Sequence, residues 1–180
     1  MAVRSFGKTR RPGNLGMAMI TRQPYVMMIP QSRKHPPHLP PLDRSATILL
    51  LTVCTKNRKR ILTCDEMHDL LRNAWKLHDD YPVGRYVIMP EHVHLFIGEN
   101  NRSYVSLPNW VAKWKGYVTR RWHRVSDRPI WQRSFWDRQL LGAAAYESKW
   151  IYVHWNPVRH GLVVHPDDWP FQGEMVKLRW

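Results

Sequence analysis

The chain has 180 residues, a length typical of one domain, and 43% of them are hydrophobic, which is too many for a wholly disordered protein. Its 28 Lys and Arg exceed its 14 Asp and Glu, so the formal net charge is +14, and it contains 10 Trp. This combination favours a polyanionic partner that offers both phosphates and flat bases, with a membrane surface as the competing polyanion.

Membrane insertion and secretion are disfavoured by the distribution of apolar residues. No apolar run reaches the roughly 18 residues that a membrane span needs. The only candidate for the hydrophobic part of a signal peptide, 17–29, is interrupted by Arg22 and Pro24. We therefore expect a cytoplasmic protein that has no membrane partner.

Residues 1–44 differ in composition from the rest of the chain. Eight Lys and Arg against the single acid Asp43 give this segment a net charge of +7, half of the total, and it holds seven of the 14 prolines. It has no sustained period of two or 3.6 residues, so we predict a flexible basic arm. The arm is either an extension without function or a contributor to DNA affinity.

The pattern from residue 45 to residue 180 is that of a folded domain. An apolar run with several β-branched residues predicts a first strand over Ser45–Cys54, and a helical spacing of apolar residues predicts a helix over Asp65–Asp80. Two further apolar runs predict strands over Val83–Met89 and Glu91–Gly98. Because Pro90 stops the second strand, the connection to the third strand is predicted to be a tight turn.

Three more elements are predicted in the C-terminal half. They are a helix over Leu107–Val125, a strand or extended segment containing Ile130 to Trp136, and a helix over Ala143–His160 that ends at Gly161. The first six elements form two β-α-β halves. This order predicts an α+β fold, a ferredoxin-like antiparallel sheet with helices on one face, to which the C-terminal helix is added.

Two histidines stand two residues apart in the third predicted strand. Because alternate residues of a strand share a face, His92 and His94 are predicted to lie side by side, where two imidazoles can share one divalent metal ion. Histidines in this pattern are also common as ordinary surface or core residues. Glu91 has the opposite parity and is a poorer ligand candidate unless the backbone bends at Pro90.

The C-terminal helix carries two residues that could complete such a site. Tyr152 and Asn156 are four residues apart and therefore share one helix face. An Asn carbonyl is a reasonable third ligand, and the Tyr would then lie near a phosphate held by the metal. The alternative is a tyrosine that packs in the core with its hydroxyl in water. Pro157 is expected to distort the helix just after Asn156.

Four motifs occur in order along the chain: Met89-Pro90-Glu91-His92-Val93-His94, Trp131-Gln132-Arg133-Ser134-Phe135-Trp136-Asp137, Tyr152-x-His154-x-Asn156-Pro157-Val158-x-x-Gly161-Leu162-Val163 and Asp168-Trp169-Pro170-Phe171. In content, order and spacing they resemble the REP-associated tyrosine transposases, which belong to the single-tyrosine HUH endonucleases. The resemblance covers about residues 45–172. The arm lies outside it, and Gln172-Gly173 departs from the small hydroxyl residues of many relatives.

The resemblance implies a role for each of four residues. His92 and His94 match the metal-binding pair, Tyr152 matches the nucleophile, and Asn156 matches a position that supplies a further metal ligand. It also implies Mg²⁺ or Mn²⁺ as the cofactor and single-stranded or hairpin DNA as the partner. The expected reaction is strand cleavage through a 5′-phosphotyrosine intermediate with a free 3′-OH.

Two basic clusters are candidates for contacts with DNA phosphates. One follows the first strand and the other ends the second helix; their members are Lys56, Arg58, Lys59, Arg60, Arg120, Arg121 and Arg124. The alternative for each residue is a solvated charged surface.

Two rival functions remain open at the level of sequence. One is a non-catalytic protein that binds nucleic-acid hairpins, which explains the charge but not the presence of His92, His94, Tyr152 and Asn156 together. The other is a metal-dependent phosphodiesterase that uses water as its nucleophile. The oligomeric state is either a monomer or a homodimer.

Overall fold

A computed structural model describes residues 48–98 and 104–179. The predicted basic arm, 1–44, lies outside these ranges. Nine helices and strands follow one another in the described part: β1 Ile48–Cys54, α1 Asp65–Leu77, β2 Val83–Met89, β3 His92–Gly98, α2 Leu107–Arg121, β4 Trp136–Leu140, α3 Ala143–His154, α4 Asn156–Arg159 and β5 Gln172–Glu174. Three short 3-10 turns join them, at Lys56–Arg58, Val125–Asp127 and Pro166–Asp168.

The five strands form one antiparallel sheet in the order β4-β1-β3-β2-β5. Its first four strands, with α1 and α2 as the two connections, have the ferredoxin-like arrangement that the order of elements predicts, so the fold class is confirmed. The histidine strand, β3, lies at the centre of the sheet and pairs with β1 on one side and β2 on the other.

Alternation along β3 divides the core between the two faces of the sheet. Val93, Leu95 and Ile97 pack with α1 and α2 in one apolar cluster. Phe96 belongs to a second cluster on the opposite face, where Tyr146 and Val153 of α3 cover the sheet. The added C-terminal helix therefore packs on the face to which His92 and His94 point, which brings its residues to the histidine pair.

The fourth strand begins later in the chain than the sequence indicates. The predicted segment, Ile130–Trp136, contributes only an isolated bridge from Trp131 to Thr55, and the regular pairing with β1 runs over Trp136–Leu140. Ile130, Trp131 and Phe135 are buried in the first core cluster without being in a strand. Burial, and not strand pairing, accounts for their apolar character.

The predicted third helix is two helices. Trp155, with φ −80° and ψ 0°, separates α3 from α4, and Pro157 lies in the first turn of α4. Proline has no N–H to donate to the carbonyl of Val153, so the regular hydrogen-bond ladder is interrupted here. β5 was not predicted, because its three polar residues carry no apolar pattern.

Most of the tryptophans contribute to the cores rather than to the surface. Six of those in the described ranges are buried: Trp75, Trp110, Trp114, Trp122, Trp131 and Trp169. Trp155, at the junction of α3 and α4, is 42% exposed. None of the helices in the described ranges is long and apolar enough to cross a membrane.

Candidate active site

The histidine pair lies at the start of β3, next to the two-residue turn from β2. His92 and His94 are buried, at 6% and 9% exposure, and their Nε2 atoms are 3.1 Å apart. The predicted side-by-side placement is therefore confirmed. Burial lowers the pKa of His94 well below its ordinary value, with smaller contributions from His92 and Arg159, so the His94 imidazole is neutral near pH 7.

Each imidazole is held at its other nitrogen. His92 Nδ1 lies 3.0 Å from Glu91 Oε1, and His94 Nδ1 lies 2.9 Å from Thr52 Oγ1, on the paired residue of β1. The hydrogen bond to His92 lowers the pKa of Glu91, although burial opposes this. Since a carboxylate only accepts hydrogen bonds, His92 donates from Nδ1 and directs Nε2 towards His94.

Glu91 contacts His92 although its side chain does not share a strand face with the two histidines. The alternation argument makes Glu91 a poor ligand candidate, and the structure places it in the turn at Pro90-Glu91, where the alternation of a strand does not apply. Its carboxylate orients His92 through Nδ1. Orienting partners of this kind fix the ring and tautomer of metal-binding histidines.

Asn156 reaches the histidines from the first residue of α4. Its side chain is 6% exposed, and its Nδ2 atom donates to His94 Nε2 at 2.8 Å. The other end of the amide, Oδ1, accepts a hydrogen bond of 2.9 Å from Arg159.

Tyr152 precedes Asn156 by four residues, on α3, and is 37% exposed. The guanidinium of Arg159 lies 4.0 Å from the centre of its ring, and Lys149 Nζ lies 5.7 Å from it. A half-exposed phenol between two cations suits an approach by a phosphate group. The tyrosine of α3 that packs in the core is Tyr146, which lies against Phe96 and is 8% exposed.

The geometry of the pair suits a bound cation. Asn156 donates to His94 Nε2, so this nitrogen carries a lone pair. The two Nε2 atoms lie 3.1 Å apart, and a cation bound to both would draw on one lone pair from each imidazole. To add its oxygen as a third ligand, Asn156 would turn its amide by about 180°, which exchanges Oδ1 and Nδ2.

Within residues 48–98 and 104–179, no group of three or more His, Cys, Asp or Glu side chains is placed to hold a metal ion. In this part of the chain, the side chains at hand for an ion at the pair are the two imidazoles and the Asn156 amide.

The first basic cluster lies beside the histidine pair. The backbone of Thr55 bonds to Glu91 and that of Leu62 to Pro90, so the loop that carries Lys56, Arg58, Lys59 and Arg60 packs on the β2–β3 turn. Arg60 lies 3.9 Å from the Glu91 carboxylate while remaining largely exposed.

The second basic cluster lies at the C-terminal end of α2, and its residues Arg120, Arg121 and Arg124 are all exposed. Arg121 stacks on Tyr117 at 3.8 Å, and Arg124 lies over Trp122 at 5.4 Å. Lys59 donates to the carbonyl of Asp127, just beyond α2, and so links the two clusters. That these basic residues bind DNA stays a prediction.

Two residues of this region were not singled out from the sequence. The contact between Thr52 and His94 can be predicted only if the register of β1 and β3 is known, because the two residues are 42 positions apart in the sequence. Arg159 follows Tyr152 by seven residues and Asn156 by three, a helical spacing that does suggest contact. His154, two residues after Tyr152, stacks on Trp150, and its Nε2 atom lies 3.2 Å from Asp167 Oδ1.

The chain is similar to several known proteins over about two thirds of its length. It is 28% identical over 124 residues to the REP-associated tyrosine transposase of Escherichia coli strain K12, covering 67% of this chain and 72% of that protein. It is 25% identical over 140 residues to a protein of Haemophilus influenzae described as a REP-associated tyrosine transposase, covering 69% and 77%.

One solved structure is similar in both sequence and fold. It is described as the REP-associated tyrosine transposase bound to a REP hairpin, with 26% identity and a TM-score of 0.58, and the similarity covers 69% of this chain and 74% of the other. The family model described as "Transposase IS200 like" matches residues 45–149, which is more than half of the chain. The resemblance is thereby confirmed, and the chain belongs to the IS200-like transposase family.

Proposed function

We propose that the protein cleaves and rejoins single-stranded DNA beside hairpin-forming repeats, with Tyr152 as the nucleophile. The observation that carries this proposal is the contact between Asn156 Nδ2 and His94 Nε2, 2.8 Å apart. That contact joins α4, which follows the Tyr152 helix α3 after the single residue Trp155, to the buried histidine pair. A protein that only binds hairpins has no need to bury two facing imidazoles against this helix.

The covalent step exchanges one phosphodiester bond for another. The Tyr152 oxygen attacks phosphorus, a P–O bond to Tyr152 forms, and the bond from phosphorus to the 3′-oxygen breaks. The phenol loses its proton and the 3′-oxygen gains one, which leaves a 5′-phosphotyrosine and a free 3′-OH. Because the phosphotyrosine bond replaces a bond of the same type, a second 3′-OH can reverse the step without ATP.

His92 and His94 would hold a divalent ion, Mg²⁺ or Mn²⁺, and Asn156 would join them with its amide turned. When bound, such an ion neutralises charge on the phosphate oxygens and orients the phosphate. Glu91 and Thr52 keep the two Nε2 atoms directed to one point, since each holds the opposite ring nitrogen. The site thus restrains the phosphate at the face of α3 that carries Tyr152.

The hairpin as substrate is supported by the protein bound to a REP hairpin, which the chain resembles over 69% of its length. The charge of the folded part agrees with a polyanion, because the two basic clusters border the histidine pair and the end of α2. Phosphate contacts by such residues position a nucleic acid without reading its sequence. Recognition of one particular repeat sequence therefore requires additional contacts to its bases.

The test is an adduct assay with hairpin DNA that has a labelled single-stranded flank. The intact protein is incubated with the DNA and Mn²⁺, and the products are separated on a denaturing protein gel. We expect a labelled covalent adduct that is absent in Tyr152→Phe and present in Tyr117→Phe. Tyr117 is the matched control because it stacks on Arg121 and His78, at the other side of the sheet.

Two results would overturn the proposal, and each points to a rival. Cleavage that persists in Tyr152→Phe without an adduct indicates that water is the nucleophile. Binding of the hairpin by the intact protein with neither cleavage nor adduct indicates a non-catalytic binding protein. Omission of the divalent ion should abolish the adduct while leaving salt-sensitive DNA binding in place.

A further inference from the structure

Arg159 contacts two of the proposed active-site residues at once. Its Nη2 atom donates to Asn156 Oδ1 at 2.9 Å and to the backbone carbonyl of Tyr152. Its guanidinium also lies 4.0 Å from the centre of the Tyr152 ring. The two hydrogen bonds use the two hydrogens of one nitrogen, so the plane of the guanidinium is fixed relative to both partners.

The position of Arg159 follows from the break in the C-terminal helix. Arg159 is the last residue of α4, and its backbone N–H bonds to the carbonyl of Trp155 at the junction. The side chain turns back across this junction to the last turns of α3. Its charge is also one of the influences that lower the pKa of His94. Arg159 is therefore close to the histidine pair as well as to Tyr152.

We propose that Arg159 is a positioning residue, which holds the Tyr152 ring in place across the junction of α3 and α4. This inference rests on the proposed function of Tyr152. Without Arg159, the phenol can change rotamer on an exposed helix face. A misplacement of about 1 Å at a reacting group can cost about 100-fold in rate.

The shape of the side chain matters as much as its charge. A planar guanidinium can stack on an aromatic ring and donate in its own plane, whereas the lysine ammonium is a compact charge without a plane. Arg159→Lys therefore keeps the charge near the site but loses the simultaneous contacts. If the charge alone mattered, lysine would restore function.

The test combines a rate with a signal from Tyr152 itself. Adduct formation is measured in a single turnover at saturating hairpin DNA for the intact protein, Arg159→Ala, Arg159→Lys and the control Arg72→Ala. Arg72 is exposed on α1, which packs on the opposite face of the sheet. The same proteins are labelled with 3-fluorotyrosine, and the ¹⁹F resonance of Tyr152 is assigned by its loss in Tyr152→Phe.

We expect the single-turnover rate to fall about 10- to 100-fold in both Arg159 variants while the DNA dissociation constant changes less than about threefold. The ¹⁹F resonance of Tyr152 should shift in both variants and stay unchanged in Arg72→Ala. An unmoved resonance, or a rate restored by lysine, would contradict the positioning role. Failure of the intact protein to form any adduct would instead contradict the proposed function, and the fluorine signal would still report whether Arg159 holds the ring.

Discussion

Lys115 gives the sharpest prediction about stability, because it is a lysine inside the core. It lies in α2 and is 8% exposed. Its Nζ atom donates to the carbonyl of Gln132 at 3.0 Å, which ties α2 to the segment before β4, and lies 6.0 Å from the centre of the Phe135 ring. Burial lowers the pKa of Lys115 from 10.5 to about 8.

The direction of the pH effect follows from this lowered pKa. Between about pH 8 and pH 10.5 the unfolded chain keeps a proton on Lys115 that the folded protein has lost. The free energy of unfolding therefore rises with pH across this window. The difference in pKa is about 2.5 units, and each unit corresponds to about 1.4 kcal/mol, so the Lys115 contribution to stability rises by about 3 kcal/mol.

Urea unfolding of the intact protein and of Lys115→Met, followed by tryptophan fluorescence from pH 7 to pH 10, measures this contribution. Methionine keeps the length of the side chain and removes the charge, so subtracting its profile cancels the other titrating groups. We expect the stability of the intact protein relative to Lys115→Met to rise by about 2 kcal/mol by pH 10 and to approach about 3 kcal/mol beyond it.

Parallel profiles for the two proteins would refute the reasoning, because they would mean that Lys115 titrates alike in the folded and unfolded states. A falling difference would refute it as well. Among the described residues, Cys54 is the charged group that acts on Lys115, and burial raises the pKa of its thiol. Repeating the comparison in a Cys54→Ala background shows whether the rise belongs to Lys115, since it should persist there.

Three further predictions concern the site, the DNA surface and the last strand. Thr52→Val removes the partner of His94 Nδ1, so the affinity for Mn²⁺, titrated by electron paramagnetic resonance, should fall about 10- to 100-fold; an unchanged affinity would contradict the orienting role. Arg121→Ala should reduce the slope of log affinity against log salt for single-stranded DNA by about 0.7 in fluorescence anisotropy, and an unchanged slope would remove Arg121 from the DNA surface. Gly173→Ala should lower the free energy of unfolding in urea by about 1–3 kcal/mol, because the new Cβ would lie 2.9 Å from Tyr86 Oη; full stability would mean that Tyr86 moves at no cost.

The centre of the fold was predictable because its elements carry strong periodic signals. Alternation along β3 assigns His92 and His94 to one face and Val93 to the other, and both assignments are confirmed. The two edge strands were misplaced or missed for a common reason. Edge strands such as β4 and β5 are partly exposed; the three middle residues of β4 are polar, and β5 has no apolar side chain, so neither has an alternating apolar pattern.

The contacts around the histidines were less predictable, because they depend on tertiary placement. Thr52 reaches His94 through the pairing of β1 with β3, which no local pattern specifies. The contact of Glu91 with His92 Nδ1 is made from the turn before β3, where the alternation of a strand gives no guidance. Arg159 stood at a helical spacing from Tyr152, yet its side chain crosses a break whose position depends on Pro157.

The central claim is that Tyr152 becomes covalently joined to DNA, and peptide mapping of the adduct tests it most directly. Nuclease treatment trims the bound strand, trypsin cleaves after Lys149 and Arg159, and mass spectrometry locates the remaining nucleotide. We predict a nucleotide phosphate on the tyrosine of the 150–159 peptide, which contains Tyr152 as its only tyrosine. A nucleotide on any other peptide, or unmodified peptides from a reaction in which DNA was cut, would contradict the claim.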